Sequence, residues 1–129
     1  MAKIFVMLGA IFGAMSVGMG AFGAHGLRSR VVDGSLEPRL LEVWETAAQY
    51  QMYHALALLF VAWLATQGDS TATSVSGWAF VVGVAVFSGS LYTMTLTGLR
   101  WLGAITPIGG VAFIVGWIAL AVASSKLLS

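Results

Sequence analysis

The chain is 129 residues long, 59% hydrophobic and only 9% charged, with a formal net charge of +1 and a mean hydropathy of +0.92. A soluble domain carries about 25% charged residues, so this surface is not built for water, and with no basic stripe to neutralise phosphates nucleic acid is excluded as a partner. The absence of cysteine removes disulfides, thiolate metal sites and cysteine nucleophiles, and the length corresponds to one domain, residues 1–129.

In chain order, the first apolar block is Ile4–Ala24, uncharged throughout. Its run of about 20 residues exceeds the 7–15 of a signal-peptide core, which favours a retained helix over a cleaved leader. Gly9, Gly13, Ser16 and Gly20 lie three or four apart along it, a spacing that lets helix backbones approach closely in lipid. The connection His25–Arg39 holds Arg28, Arg30, Asp33, Glu37 and Arg39. Asp33-Gly34-Ser35 is a turn signal there, and Ser35 or Glu37 can cap a helix whose first turn contains Pro38.

From Pro38 the helical pattern continues without a breaker to Thr66. The second apolar block is about Ala47–Thr66, of which only Ala55–Ala65 is strictly apolar, so this second helix completes a crossing only by including its polar N-terminal turns. Over Pro38–Thr66 it is expected to extend beyond the bilayer, and its polar turns, Gln49 among them, are expected to face helices one and three. Gln67–Ser74 is a polar tip. Val75–Thr97 is the third block and Leu102–Ala123 the fourth, joined through Gly98-Leu-Arg100, so short that the two must form an antiparallel hairpin. On the last helix Ala112, Gly116, Ala119 and Ala123 repeat the small-residue spacing. Spanning a ~30 Å hydrocarbon core takes roughly 20 helical residues. No block alternates with period two, so the expected fold is an all-α membrane protein: four transmembrane helices in one compact bundle. Trp44 and Trp101 are expected as interfacial anchors at one face, with Trp63, Trp78 and Trp117 at the other.

The polar residues concentrate on one side. His25 ends the first block and His54 enters the apolar part of the second. Glu45, Gln49 and Tyr53 form an i, i+4, i+8 stripe, with Tyr50 and His54 on the next. Ser88 and Tyr92 come late in block three, and Thr106-Pro107 opens the fourth helix. His25, Glu45, Gln49, Tyr50, Tyr53, His54, Ser88, Tyr92 and Thr106 are therefore the candidate lining of one polar pocket. The competing reading is that these groups simply reach headgroups or bond to their own helices. Two histidines and Glu45 are ligand types, but their spacing is no recognised metal motif; no metal or cofactor is implied. Glu45 sits about two turns from His54 on another face, which disfavours a serine triad, and no catalytic residue is assigned. Blocks one, three and four contain no intramembrane carboxylate, which disfavours proton-coupled export.

Four motifs, Gly20-Ala-Phe-Gly-Ala-His-Gly-Leu27, Thr46-Ala-Ala-Gln-Tyr-Gln-Met-Tyr-His-Ala-Leu-Ala-Leu58, Phe87-Ser-Gly-Ser-Leu-Tyr92 and Trp101-Leu-Gly-Ala-Ile-Thr-Pro-Ile-Gly-Gly110, resemble, in order and over nearly the whole chain, the domain-of-unknown-function 423 family. The resemblance implies a small four-helix protein of the bacterial inner membrane and brings no activity with it. The expected role is an accessory or structural component that binds membrane lipids or a partner membrane protein, with a homo-oligomer as a further candidate assembly. A small-solute or ion pathway formed by an oligomer is the alternative, and a membrane-embedded enzyme the third. Arg28, Arg30, Arg39 and Arg100 against Lys3 and Lys126 place the first and third loops in the cytoplasm by the positive-inside rule.

Overall fold

A computed structural model describes all residues from Met1 to Ser129. Four helical rods account for almost all of them: α1 Ala2–Val32, α2 Pro38–Ala65, α3 Thr71–Thr97 and α4 Arg100–Leu127. No strand is present. α1, α3 and α4 are each long and apolar enough to cross a membrane. α2 is not among those three, because Gln49, Gln51, Tyr50, Tyr53 and His54 dilute its apolar part.

The end of α1 corrects the expected boundary at Ala24. The helix continues to Val32 through a wide turn at Gly23–Leu27, in which the Arg28 N–H reaches back five residues to the Gly23 carbonyl. That π-type bond keeps the glycine-rich backbone satisfied where a break was expected. The connection is reduced to Asp33–Glu37. Asp33 Oδ1 accepts the Ser35 N–H at 2.9 Å, and Gly34 takes the left-handed φ of +85° that the turn requires. Hydrogen bonding from Ser35 holds the exposed Asp33 carboxyl below its ordinary value of 3.8.

α2 starts at Pro38 behind an extended Glu37 and runs unbroken for 28 residues, about 42 Å at 1.5 Å per residue. α3 has its own wide turn at Val84–Ser88. α4 opens with a tight 3-10 turn at Arg100–Ala104 before its α-helical part, Thr106–Leu127.

α1 packs along α2 and α4 along α3, while α2 and α3 join the two pairs. The main core gathers Phe5, Leu58, Val61, Leu64, Phe80, Val84, Phe113 and Leu120 from all four helices. Its rings sit on glycines. Phe5 occupies the space a side chain at Gly77 would need, Phe113 that of Gly83, Phe80 that of Gly116, and Phe87, backbone included, that of Gly109. At Gly9 an added Cβ would lie 2.9 Å from the Ala55 carbonyl oxygen. Of the other glycines expected to pack, Gly13 has a neighbour only at 4.0 Å and Gly20 has none within 4 Å, so neither is needed for a close approach.

Candidate functional site

The buried face of α2 is set by helical period. Trp44, Ala47, Ala48, Gln51, His54, Ala55, Leu58, Val61 and Ala62 are buried, a repeat of three and four that keeps one side against the bundle. Glu45, Gln49 and Tyr53 lie on the opposite, exposed side. Gln49 therefore faces away from helices one and three, contrary to expectation, and Gln51, two residues on, takes the buried place. Its small and apolar neighbours at Trp44, Ala47, Ala48 and Leu58 carried that signal.

Gln51 is 1% exposed and links three helices. The Tyr92 hydroxyl donates to its Oε1 at 2.7 Å, and its Nε2 donates to the Phe12 carbonyl at 2.9 Å. Around it, side chains of one helix bond to carbonyls of the next. Ser16 Oγ donates to Ala48 O at 2.7 Å, Ser88 Oγ to Ala47 O at 2.8 Å and Thr95 Oγ1 to Leu40 O at 3.0 Å. These carbonyls accept on their second lone pair beside their helical bond. Trp44 also corrects an expectation. It is no interfacial anchor but a core residue, 2% exposed, with its indole N–H on Met19 O at 2.7 Å and its ring 4.6 Å from that of Tyr92.

His54 lies half-way along α2, 4% exposed. The Trp117 indole N–H donates to Nε2 at 3.0 Å, so the remaining hydrogen sits on Nδ1 and points at Tyr50 O, 2.6 Å away. The Phe113 ring lies parallel to the imidazole at 3.6 Å. Both nitrogens are thereby occupied.

Outside this histidine the surface between α2 and α4 is hollowed. The gap is a groove of about 690 Å³ lined by Tyr50, Tyr53, His54, Phe87, Pro107, Gly110, Val111, Phe113, Ile114 and Trp117. Tyr50 stacks on Phe87 at 4.8 Å, and neither the Tyr50 nor the Tyr53 hydroxyl is engaged, whereas Tyr92 is. Gly110 contributes a smooth patch, since a Cβ there would meet nothing within 4 Å.

The nine candidate residues thus separate. Tyr50, Tyr53 and His54 share the groove; Ser88 and Tyr92 belong to the seam between α2 and α3. Thr106 pairs with Ser90 at 2.7 Å next to Pro107 at the groove's end. His25 is exposed in the wide turn of α1, away from His54. Glu45 is exposed, with Arg28 Nη2 3.7 Å from its carboxylate. Phe113, Trp117 and Gly110 were not singled out as lining from the sequence; only packing against α2 reveals them as such.

A family described as "Protein of unknown function (DUF423)" matches residues 19–110. The UPF0382 membrane protein YwdK of Bacillus subtilis is 49% identical over 128 residues, covering 98% of this chain and 99% of its own. UPF0382 membrane proteins of Staphylococcus epidermidis and Staphylococcus aureus are each 48% identical over 124 residues, covering 96% of this chain and 97% of theirs. No solved structure matches.

Proposed function

This chain belongs to the DUF423 family, and from that premise we propose that it is a four-span protein of a bacterial cytoplasmic membrane, an accessory component that binds a membrane lipid in the groove between α2 and α4. α2 is the fourth span. Polar groups are costly in hydrocarbon unless bonded within the protein, and those on its inner face are: Gln51 and His54 both have partners at each end. At about 42 Å the helix exceeds a ~30 Å hydrocarbon core, leaving its first turns, with Arg39, Glu42 and Glu45, in the headgroup layer.

The groove carries the reading. Its 690 Å³ lies within the ~300–1,000 Å³ of small-molecule sites. Its walls are aromatic and aliphatic, it opens sideways towards where acyl chains run, and two unengaged tyrosine hydroxyls stand beside it to meet an ester or headgroup oxygen. An ion pathway has less support, because the hydroxyls that would line it, Ser16, Ser88 and Thr95, are bonded to neighbouring helices. For an enzyme, His54 has no free nitrogen to act as a base.

The test is photo-crosslinking in nanodiscs with a phospholipid carrying a diazirine in its acyl chain. Adducts are expected on Tyr53, Ile114 or Trp117, and Gly110→Leu, which fills the groove without touching the core, is expected to remove them while melting is unchanged. Equal labelling of both proteins, or labelling spread evenly around the bundle, rejects the groove. For topology, alkaline phosphatase fused after Ser129 is expected to be active; a cytoplasmic signal there reverses the orientation and leaves the groove reading intact.

A further inference from the structure

The opposite end of the bundle holds a second cavity, of about 260 Å³, between the α2–α3 connection and the start of α1; its wall includes Ala65, Asp69, Ser70, Thr73 and Ser74. In the whole chain only two buried side-chain polar atoms lack a hydrogen-bond partner, Ser70 Oγ and Thr73 Oγ1. Both residues belong to this wall. Buried hydroxyls are nearly always partnered, and Thr73 is only 3% exposed.

Ser70 is the N-cap residue of α3, yet its side chain makes no cap hydrogen bond. The Thr73 and Ser74 amides bond to the Ser70 carbonyl, whereas the Thr71 and Ala72 amides have no acceptor. The two free hydroxyls of the cavity wall thus stand at the positive end of a helix dipole, beside the free amides of the same first turn, an arrangement suited to the oxygens of a phosphate. Asp69, one residue before the cap, is a carboxylate in the same wall, and Met1 with its terminal ammonium lies there too; the carboxylate is the group that bears on an incoming cation. It would repel a bare anion and attract an ammonium group.

We propose that this cavity is a site for a phosphate ester carrying a short primary amine, the chemistry of a phosphoethanolamine headgroup: phosphate on the start of α3 and its hydroxyls, ammonium on Asp69. Such a group has about eight non-hydrogen atoms, and the cavity's volume equals that of roughly eight or nine waters at ~30 Å³ each. The cavity's place at the membrane surface rests on the four-span reading; the donor set does not.

The experiment is native mass spectrometry of the full chain from nanodiscs containing equal parts phosphatidylethanolamine, phosphatidylglycerol and phosphatidylcholine. The wild type is expected to retain phosphatidylethanolamine with at least a fivefold preference. Thr73→Val keeps the side-chain shape and removes an oxygen with no protein partner, so folding is preserved while the preference falls to near parity. Ser70→Ala is expected to act in the same direction, and Asp69→Asn to abolish discrimination against phosphatidylglycerol alone. In lipid-free detergent, stabilisation by free O-phosphoethanolamine or inorganic phosphate, lost in Thr73→Val, assigns the same chemistry to a soluble source. Identical lipid retention in wild type and variants, with no stabilisation by either soluble compound, overturns the proposal and leaves the cavity to water. Gln67→Cys, labelled with a maleimide in permeabilised vesicles, separates the two readings. A thiol shielded even there removes the four-span placement, whereas a labelled thiol with no headgroup preference removes the site alone.

Discussion

The two sides of α2 are finished differently. Towards α1 and α3 its contacts are closed: Gln51, Trp44, Ser16, Ser88 and Thr95 each have a partner on another helix. Towards α4 the polar contact is a single one, His54 against Trp117, with Phe113 stacked on the imidazole, and outside it lies the groove. Closed polar contacts in a membrane hold helices in register. A laterally open aromatic cleft leaves area for something else to cover. The seam explains why the bundle stands, and the groove is where binding is expected.

The neighbouring glycines Gly109 and Gly110 test that division most strongly. At Gly109 an added Cβ would lie 2.7 Å from Phe87 Cβ and 2.8 Å from its Cα, and backbone cannot move aside cheaply. Gly109→Val is expected to cost about 3 kcal/mol or more, the upper end of overpacking, and to abolish a monodisperse peak in detergent chromatography. Gly110→Leu, one residue on, is expected to stay within about 0.5 kcal/mol of the wild type. Similar melting of the two would mean that α4 is not seated as described.

The seam is probed next by Gln51→Leu and Tyr92→Phe. Each single change leaves the other side chain's polar group unpaired and is expected to cost about 1–2 kcal/mol. The double variant removes both groups and should recover part of the loss, with a coupling of about 0.6 kcal/mol and a ceiling near 1.7. Additive losses in thermal melts would show that the bond contributes nothing.

On the groove side, the His54 contact makes a spectroscopic statement. Nitrogen-15 shifts of the imidazole are expected to report hydrogen on Nδ1 and none on Nε2. His54→Phe should move the Trp117 indole N–H resonance more than that of any other tryptophan. Hydrogen found on Nε2 would break the link between α2 and α4.

The smallest effect is a control outside both regions. Asp33 is held below its ordinary value by Ser35, so its contribution to the turn is present above the unfolded value of 3.8 and is lost as pH falls through the lower, folded value. Carbon-13 titration of the Asp33 carboxyl should give a midpoint below 3.8, while the lipid adducts in the groove stay unchanged over the same acid range.

The apolar runs made the helices legible, because lipid-facing segments must be hydrophobic over their whole length; Val75–Thr97 and Leu102–Ala123 are close to α3 and the α-helical part of α4. The end of α1 was not legible. Glycine normally weakens a helix, and nothing local in Gly23-Ala-His-Gly26 announces the five-residue hydrogen bond that carries the helix through. Gln49 and Gln51 show a second limit. Two residues are roughly 200° apart around a helix, so assigning the polar stripe to the wrong phase turned Gln49 inward and left Gln51 unnoticed. The groove was legible only on its α2 side, where Tyr50, Tyr53 and His54 were already grouped; its α4 side had no signature. The groove forms between two helices distant in sequence, and Phe113 and Trp117 read as ordinary membrane residues until α2 lies beside them.

The wide turn at Val84–Ser88 has a further meaning for how this chain tolerates changes in length. Each such turn holds one residue more than a regular turn, so the face of α3 that meets neighbours rotates as it passes through. Before it, Gly77, Phe80 and Gly83 pack against Phe5, Trp117 and Phe113; after it, Ser88, Tyr92 and Thr95 reach α2. A helix of constant phase could not serve both partners with one stripe. Wound as a regular α-helix without loss of a residue, the same sequence would turn Ser88, Tyr92 and Thr95 together by about 100°, away from α2, whereas deleting one residue within the turn would restore ordinary winding and leave them facing α2. The extra residue works as a phase shifter, and a one-residue deletion is absorbed there, whereas the same deletion in the regular turns on either side would rotate one half of α3 by about 100° against the other.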